Sequence, residues 1–397
     1  MAPPPTREPA PEPPLRARRL AVALLGLAAA DALVYGMVPP VFPAFQVASG
    51  LDDAVTVSLA AVFALGAALS LPLRLALLRV VRPSVLLLGG AALAAVGHGL
   101  FLPEVPVAAL FALRLLQGAA SGGIWLGALN TILALKRDGR LQGYGRLLGA
   151  VLAVYALGNA VGPLAGLLPR PEAAFPLLGA AHGLAGVLAW ATVPRTARSI
   201  PALRLGELRQ PHVVTGLGSA GVAGVALGLL LAFFPVFFAA SLSPREIGLM
   251  YAVAAVPIVV LSPLVGARVQ RRSSPATMRT ASVALLLLVA AIALAPWPAA
   301  WLGLLLAAAA TFAVVETGGL TLIVSADADP SAYVLATALW GVVYDIAYGI
   351  APTAAGWAEP AVGVPGAVLA VCGVTLAAIA ASRLATSLRG ARAVADE

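Results

Sequence analysis

Long apolar runs alternate with short polar stretches along most of the chain. Runs of about the 20 residues a helix needs to cross a bilayer fall at roughly 20–45, 55–73, 84–102, 107–134, 147–168, 174–193, 213–240, 247–267, 280–296, 299–324, 332–357 and 364–383. We number these spans 1 to 12. Their count is even, so both termini lie on one side of the membrane. The longest polar connection divides them six and six. The pattern therefore predicts an all-α integral membrane protein: a Pro-rich disordered tail (1–19), a six-helix bundle (20–193), a linker (194–212), a second six-helix bundle (213–384) and a short tail (385–397). Span 1 is too long for the apolar core of a signal peptide and contains Asp31, so it reads as an uncleaved first helix.

Charge placement tests this topology. With the N-terminus inside, the cytoplasmic segments hold every one of the 25 Lys and Arg except Arg170 and Arg245, which are outside, and Arg114, which is within span 4. So large a bias supports twelve spans with both termini cytoplasmic. The loop 325–331 departs from it, carrying Asp327 and Asp329 on the inner side. Composition agrees. Hydrophobic residues make up 61% and charged residues 11%, against about 25% charged in soluble domains. The net charge of +8 does not indicate nucleic acid, because the basic residues sit in short clusters between apolar runs. The single cysteine, Cys372, allows no disulfide within the chain and no paired-cysteine metal site.

The two halves carry traces of a common origin. Span 2 ends in LSLPLRLALLRVVRP and span 8 in LSPLVGARVQRRSSP, which sets Pro72 and Pro263 191 residues apart. GPLAG in span 5 and APTAAG in span 11 set Pro163 and Pro352 189 apart. A near-constant offset is a duplication signal, and carriers built from two such halves bind substrate between them near the bilayer midplane.

Ionisable residues inside spans are costly, about 3 kcal/mol on insertion scales, and are functional candidates for that reason. Arg114, Asp31 (span 1), Glu316 (span 10) and Asp345 (span 11) are the permanently ionisable groups at depth; His98 and His182 also fall within spans. Arg114 has two readings: an anchor on backbone carbonyls, or a functional charge. Gln117, Ser121 and Trp125 follow on its side of the helix, and a polar stripe of this kind favours the wall of a wet cavity. Gly118 and Gly122 form a small-xxx-small pair suited to helix packing. Asp31 lies about eleven residues, or ~16 Å, into its span, with Tyr35 one turn on. Pro39, Pro40 and Pro43 break or kink the outer end. Asp345 is flanked by Tyr344 and Tyr348. Glu316 sits nearer the cytoplasmic interface, where snorkelling or pairing with a loop arginine is an equal alternative.

A carboxylate in a low-dielectric setting holds its proton more tightly, and a nearby arginine opposes that. A site with both can alternate between protonated and substrate-bound states. Three acids against one arginine leave the cavity net negative, which favours cationic or neutral amphipathic substrates. Tyr35, Trp125, Phe233, Phe234, Phe237, Phe238, Trp340, Tyr344 and Tyr348 are candidate lining, with Tyr35, Tyr344 and Tyr348 foremost. No phosphate-binding loop, nucleophile elbow or zinc-protease motif occurs, so the chain is not expected to be an enzyme or an ATP-driven pump.

These residues carry a family likeness. The chain resembles the major facilitator superfamily, and within it the twelve-helix drug:proton antiporters. RLLQGAASGG (114–123) is similar to the R-x-x-Q-G motif of the fourth helix, carried here by Arg114, Gln117 and Gly118. GNAVGPLAG (158–166) resembles the antiporter motif G-x-x-x-G-P-x-x-G-G, matched at Gly158, Gly162, Pro163 and Gly166, with Leu167 in place of the last glycine. Asp31 with Tyr35, Pro39 and Pro43 resembles the acidic first-helix pattern. The loop after span 2 departs from the family's G-x-L-a-D-R-x-G-R-R, keeping arginines without the glycines or the aspartate. The later copy keeps Gly266 and Arg271 but has Gln270 in place of the acid. The resemblance implies a major facilitator fold of twelve helices in two halves and proton-coupled export of a small amphipathic molecule. It implies a monomer in the plasma membrane, with protons and substrate as partners, no nucleic acid and no cofactor beyond the proton gradient. Arg114 would serve proton transfer, and the Gly–Pro motif the rocking of the halves. Uptake or facilitated diffusion on the same fold, and a receptor or scaffold that moves nothing, are the alternatives.

Overall fold

The structure is a computed structural model that describes residues 14–137, 154–155, 157–193, 211–272, 275–295, 298–324 and 330–395. Its α-helices are α1 (Pro14–Gly36), α2 (Val38–Ser49), α3 (Asp53–Leu69), α4 (Leu71–Val80), α5 (Pro83–Gly99), α6 (Val107–Arg137), α7 (Ala174–Thr192), α8 (Pro211–Gly228), α9 (Phe234–Phe238), α10 (Pro244–Arg272), α11 (Pro275–Leu294), α12 (Pro298–Val324) and α13 (Pro330–Ala395). Nine stretches among the described residues are long and apolar enough to cross a membrane, and α5 is a shorter apolar helix. The chain is a multi-pass membrane protein.

Breaks in the helices fall where residue chemistry requires them. Span 1 is divided at Met37 into α1 and α2, with Pro39 and Pro40 opening the second piece. Spans 11 and 12 run together as α13 and part only at Gly363, whose φ of 70° and ψ of 167° belong to a region open essentially to glycine alone. Between α8 and α9 the chain makes a π turn, Leu229–Phe233, in which Phe234 N–H donates to Leu229 O. In that register Leu230 O would pair with residue 235, a proline without an N–H. The Tyr251 hydroxyl supplies the missing donor to Leu230 O. The first part of span 5 lies outside the described residues. Its end is a 3₁₀ segment, Gly162–Leu167, where the sequence predicts continuous α-helix.

The halves meet along α3–α13 and between span 5 and α10, and both seams reach one end of the bundle. On one side α3 packs on α13: Trp357 Nε1 donates to Ser58 Oγ at 3.2 Å, and a Cβ on Gly356 would lie 3.3 Å from Val57. On the other, Gly166 abuts Pro244 and Gly248 abuts Pro163. The turns leading into α3 and α10 sit at this same end. Asp52 Oδ1 accepts from Val55 N–H at 2.7 Å. Ser243 and Glu246 cap each other, with Ser243 N–H donating to Glu246 Oε2 at 2.8 Å and Glu246 N–H to Ser243 Oγ at 3.3 Å.

The cores differ in kind. Among the described residues, nearly every buried polar side chain belongs to the N-terminal half: Asp31, Arg74, His98, Arg114, Gln117 and His182 among others. In the C-terminal half the buried polar side chains are Ser219 and Ser282. Its core is a cluster of Phe, Leu, Val and Ala.

Candidate functional site

Arg114 projects from α6 into the N-terminal half and is 0% exposed. Its Nε–H donates to Leu59 O at 3.1 Å, Nη2 to Ala60 O at 3.0 Å and Nη1 to Gln117 Oε1 at 2.6 Å. Gln117 Nε2 donates onward to Gly97 O at 2.7 Å. The guanidinium also lies over Phe63 (4.8 Å) and Phe42 (5.2 Å). Arginine and glutamine together tie α3, α5 and α6 into one body. The hydrogen-bond partners of Arg114 are carbonyl and amide oxygens, which is the anchoring geometry. Gln117, expected to line the cavity, has both ends of its amide engaged inside the half. The small residues beside the stripe admit neighbours closely: Gly118 abuts Phe63 O of α3, and Gly122 abuts the guanidinium of Arg74.

Asp31 lies in the same half, 2% exposed. The Tyr155 hydroxyl donates to its Oδ2. Its Oδ1 is buried without a partner. Trp125 packs edge-on against Tyr155 at 5.1 Å. Charge also links Asp31 to His182. Tyr155 was not among the sequence candidates. No charge or motif marks it, and only the meeting of span 5 with span 1 reveals its role.

Across the interface α13 presents a column at helical spacing. Trp340 stacks on Tyr344 (5.3 Å), and Tyr344 lies 6.4 Å from Tyr348. Tyr348 then meets Tyr35 of α1 edge-on at 6.0 Å, and Tyr35 meets Phe63 at 5.0 Å. The three expected tyrosines thus come together from both halves. Asp345, half-buried beside the column, interacts electrostatically with Arg74 and Asp31 of the other half. Glu316 of α12 reaches Tyr344 in the same way. Phe233, Phe234 and Phe238 instead sit in the C-terminal core, where Phe238 stacks on Trp301 at 4.2 Å.

Arg74 corrects the sequence reading. There it is one of the cytoplasmic basic residues. In the structure α4 carries it inward: it is 7% exposed, donates through Nη2 to Ala67 O and leaves Nε without a partner. Two buried guanidiniums, not one, therefore accompany the three acids. The signal was present in the LSLPLRLALL stretch, since Arg74 precedes four further apolar residues, but proximity to Arg79 and Arg82 masked it.

The motif glycines of span 5 pack against span 1 and α10. A Cβ at Gly162 would lie 2.6 Å from Gly36 C. Gly158 abuts Ala32, and Gly166 abuts Pro244; Pro163 O faces Gly248. Gly266 and Arg271 fall on the last turns of α10, where side-chain surroundings lie outside the described residues. Among the described residues no group of three or more His, Cys, Asp or Glu could hold a metal ion.

No family model matches the sequence, and no curated protein does. Solved structures do. A bacterial homologue of the human lysosomal transporter Spinster, inward-facing and occupied, superposes with a TM-score of 0.72 at 17% identity, over 95% of this chain and 98% of that one. The nucleoside transporter NupG gives 0.67 at 13% identity, over 90% and 97%. The human organic anion transporter MFSD10 (TETRAN) gives 0.59 at 19%, over 92% and 98%. Such low identities speak for architecture. With two helical halves joined by α3–α13 and the 162–167 segment against α10, the chain has the major facilitator fold.

Proposed function

We propose that the chain is a secondary transporter that exports a small amphipathic, cationic or neutral molecule in exchange for protons. It would act by alternating access, as a monomer in the plasma membrane with both termini cytoplasmic and no cofactor. The observation that carries this reading is the charge relation across the halves. Asp345 of α13 interacts electrostatically with Arg74 and Asp31 of the N-terminal half, and it adjoins in sequence a tyrosine column contributed by both halves. A carboxylate set between two moving bodies meets different charges as they part, so its proton affinity depends on conformation. Asp31 and Asp345 would carry the proton or the cation. Glu316 lies within reach of the column, and the aromatic faces suit flat or cationic substrates. Arg114 would serve translocation by holding α3, α5 and α6 in register. With three acids against two arginines, the fully ionised cavity keeps a net negative charge. The Gly–Pro motif would let span 5 move against α10.

Everted membrane vesicles with an imposed proton gradient test this. Tetraphenylphosphonium, uridine and fluorescein sample a lipophilic cation, a nucleoside and an organic anion; the last two match the named cargoes of two structural neighbours. Tetraphenylphosphonium is expected to dissipate the gradient in wild type but not in Asp31→Asn or Asp345→Asn. Equilibration of labelled probe without proton movement would make the chain a facilitator. Binding with no flux of any probe would make it a receptor or scaffold.

A further inference from the structure

A buried pair of histidines lies in the same half as Asp31. His98 (α5) and His182 (α7) are 1% and 0% exposed, and their rings stack at 5.0 Å and 2°. His98 Nδ1 lies 2.7 Å from Ala94 O, and His182 Nδ1 lies 2.9 Å from Leu178 O. A carbonyl only accepts, so both Nδ1 atoms carry the hydrogen, and both neutral rings present a bare lone pair at Nε2. Neither Nε2 has a partner, nor has Oδ1 of Asp31. Three buried acceptor atoms thus lie in one half with no donor between them. Groups of this sort are normally satisfied. One water between Asp31 Oδ1 and His182 Nε2, donating a hydrogen to each, satisfies two of the three at once.

The surrounding charges select the ring. A positive charge on His182 faces Asp31. A positive charge on His98 faces Arg114 and His182. Stacked at 5.0 Å, the two rings hold one charge between them rather than two. Tyr155 holds Asp31 through Oδ2, which leaves Oδ1 as the open oxygen.

We infer that His182, backed by His98, is the proton partner of Asp31 inside the N-terminal half, away from the tyrosine column. The O–H bond of the Asp31 carboxyl breaks and an N–H bond forms at His182 Nε2, the proton passing through one bridging water because the two atoms are not in direct contact. This leaves a carboxylate facing an imidazolium, and the return step reverses it. The inference deepens the proposed exchange and rests on a proton role for Asp31. His182 is a further proton-carrying residue, and His98 positions it.

The chain has three histidines, so ¹⁵N-histidine labelling resolves them in nanodiscs without any substrate. His182 is expected to titrate, and its midpoint to move by about one unit or more in Asp31→Asn. His212→Gln assigns the third signal and leaves the other two in place. In everted vesicles His182→Gln is expected to lower gradient-driven tetraphenylphosphonium flux by about tenfold or more. A His182 ring that keeps one protonation state throughout, or the same midpoint in Asp31→Asn, overturns the inference. Wild-type vesicles that couple no probe to protons would overturn the exchange reading instead, and the titration would still decide the histidine pairing.

Discussion

Replacing Arg114 with lysine separates charge from geometry. Lysine keeps the positive charge and can still sit over Phe63, but a single ammonium cannot reach Leu59 O, Ala60 O and Gln117 Oε1 together. Interhelical hydrogen bonds in membranes average about 0.6 kcal/mol and reach about 1.7. Losing two of the three bonds costs about 1–3 kcal/mol. Arg114→Gln loses all three and the ring contacts at 4.8 and 5.2 Å, each worth about 0.5–1 kcal/mol, for about 3 kcal/mol or more. Equilibrium unfolding in mixed dodecylmaltoside–SDS micelles, followed by circular dichroism, measures both. The expected order is wild type, lysine, glutamine, with gradient-driven flux per folded molecule following the same order. An Arg114→Lys protein within about 0.3 kcal/mol of wild type that transports nothing would refute the anchoring argument and return Arg114 to direct proton chemistry.

Three other outcomes follow from the packing and the charges. Arg74→Gln leaves Asp345 with Asp31 as its charged neighbour across the halves. It is expected to lower gradient-driven flux by about tenfold, a loss of about 1.4 kcal/mol, while a basic-to-neutral change at Arg79 has little effect. Gly162→Ala places a methyl 2.6 Å from Gly36 C and should cut folded yield, with a cost of about 1–3 kcal/mol. Gly89→Ala meets nothing within 4 Å and should gain about 0.5–1 kcal/mol, both read in the same unfolding assay. Val57→Cys with Gly356→Cys, whose β-carbons would lie 3.3 Å apart, in a Cys372→Ser background, should cross-link under oxidation. The cross-link should arrest transport until reduced, because it joins the halves at their contact.

Much of the fold was legible because lipid imposes a length and a charge rule on every helix. The apolar runs place α3, α5, α6, α7 and α10 to α12 within a few residues, and the split between spans 11 and 12 coincides with Gly363. What the pattern did not disclose was depth. A hydropathy window treats Arg74 as a loop residue because two more arginines follow it, although α4 carries it into the protein. It also gives no direction to polar side chains: Gln117 shares a stripe with Arg114 and turns out to bond to it and to Gly97 O. Tyr155 and the His98–His182 stack depend on which spans are neighbours, a property of tertiary packing alone. The tyrosines were readable from their spacing around Asp345, and their union with Tyr35 required both halves in place.

The unequal distribution of buried polar groups has a mechanical consequence. Hydrogen bonds are directional and resist small rotations, whereas apolar side chains exchange contacts at little cost when they slide. The N-terminal half, cross-braced through Arg114, Gln117 and Asp31, behaves as a chassis. The C-terminal half is held mainly by Phe, Leu and Val, with the Tyr251–Leu230 hydrogen bond at its π turn, and resists sliding less.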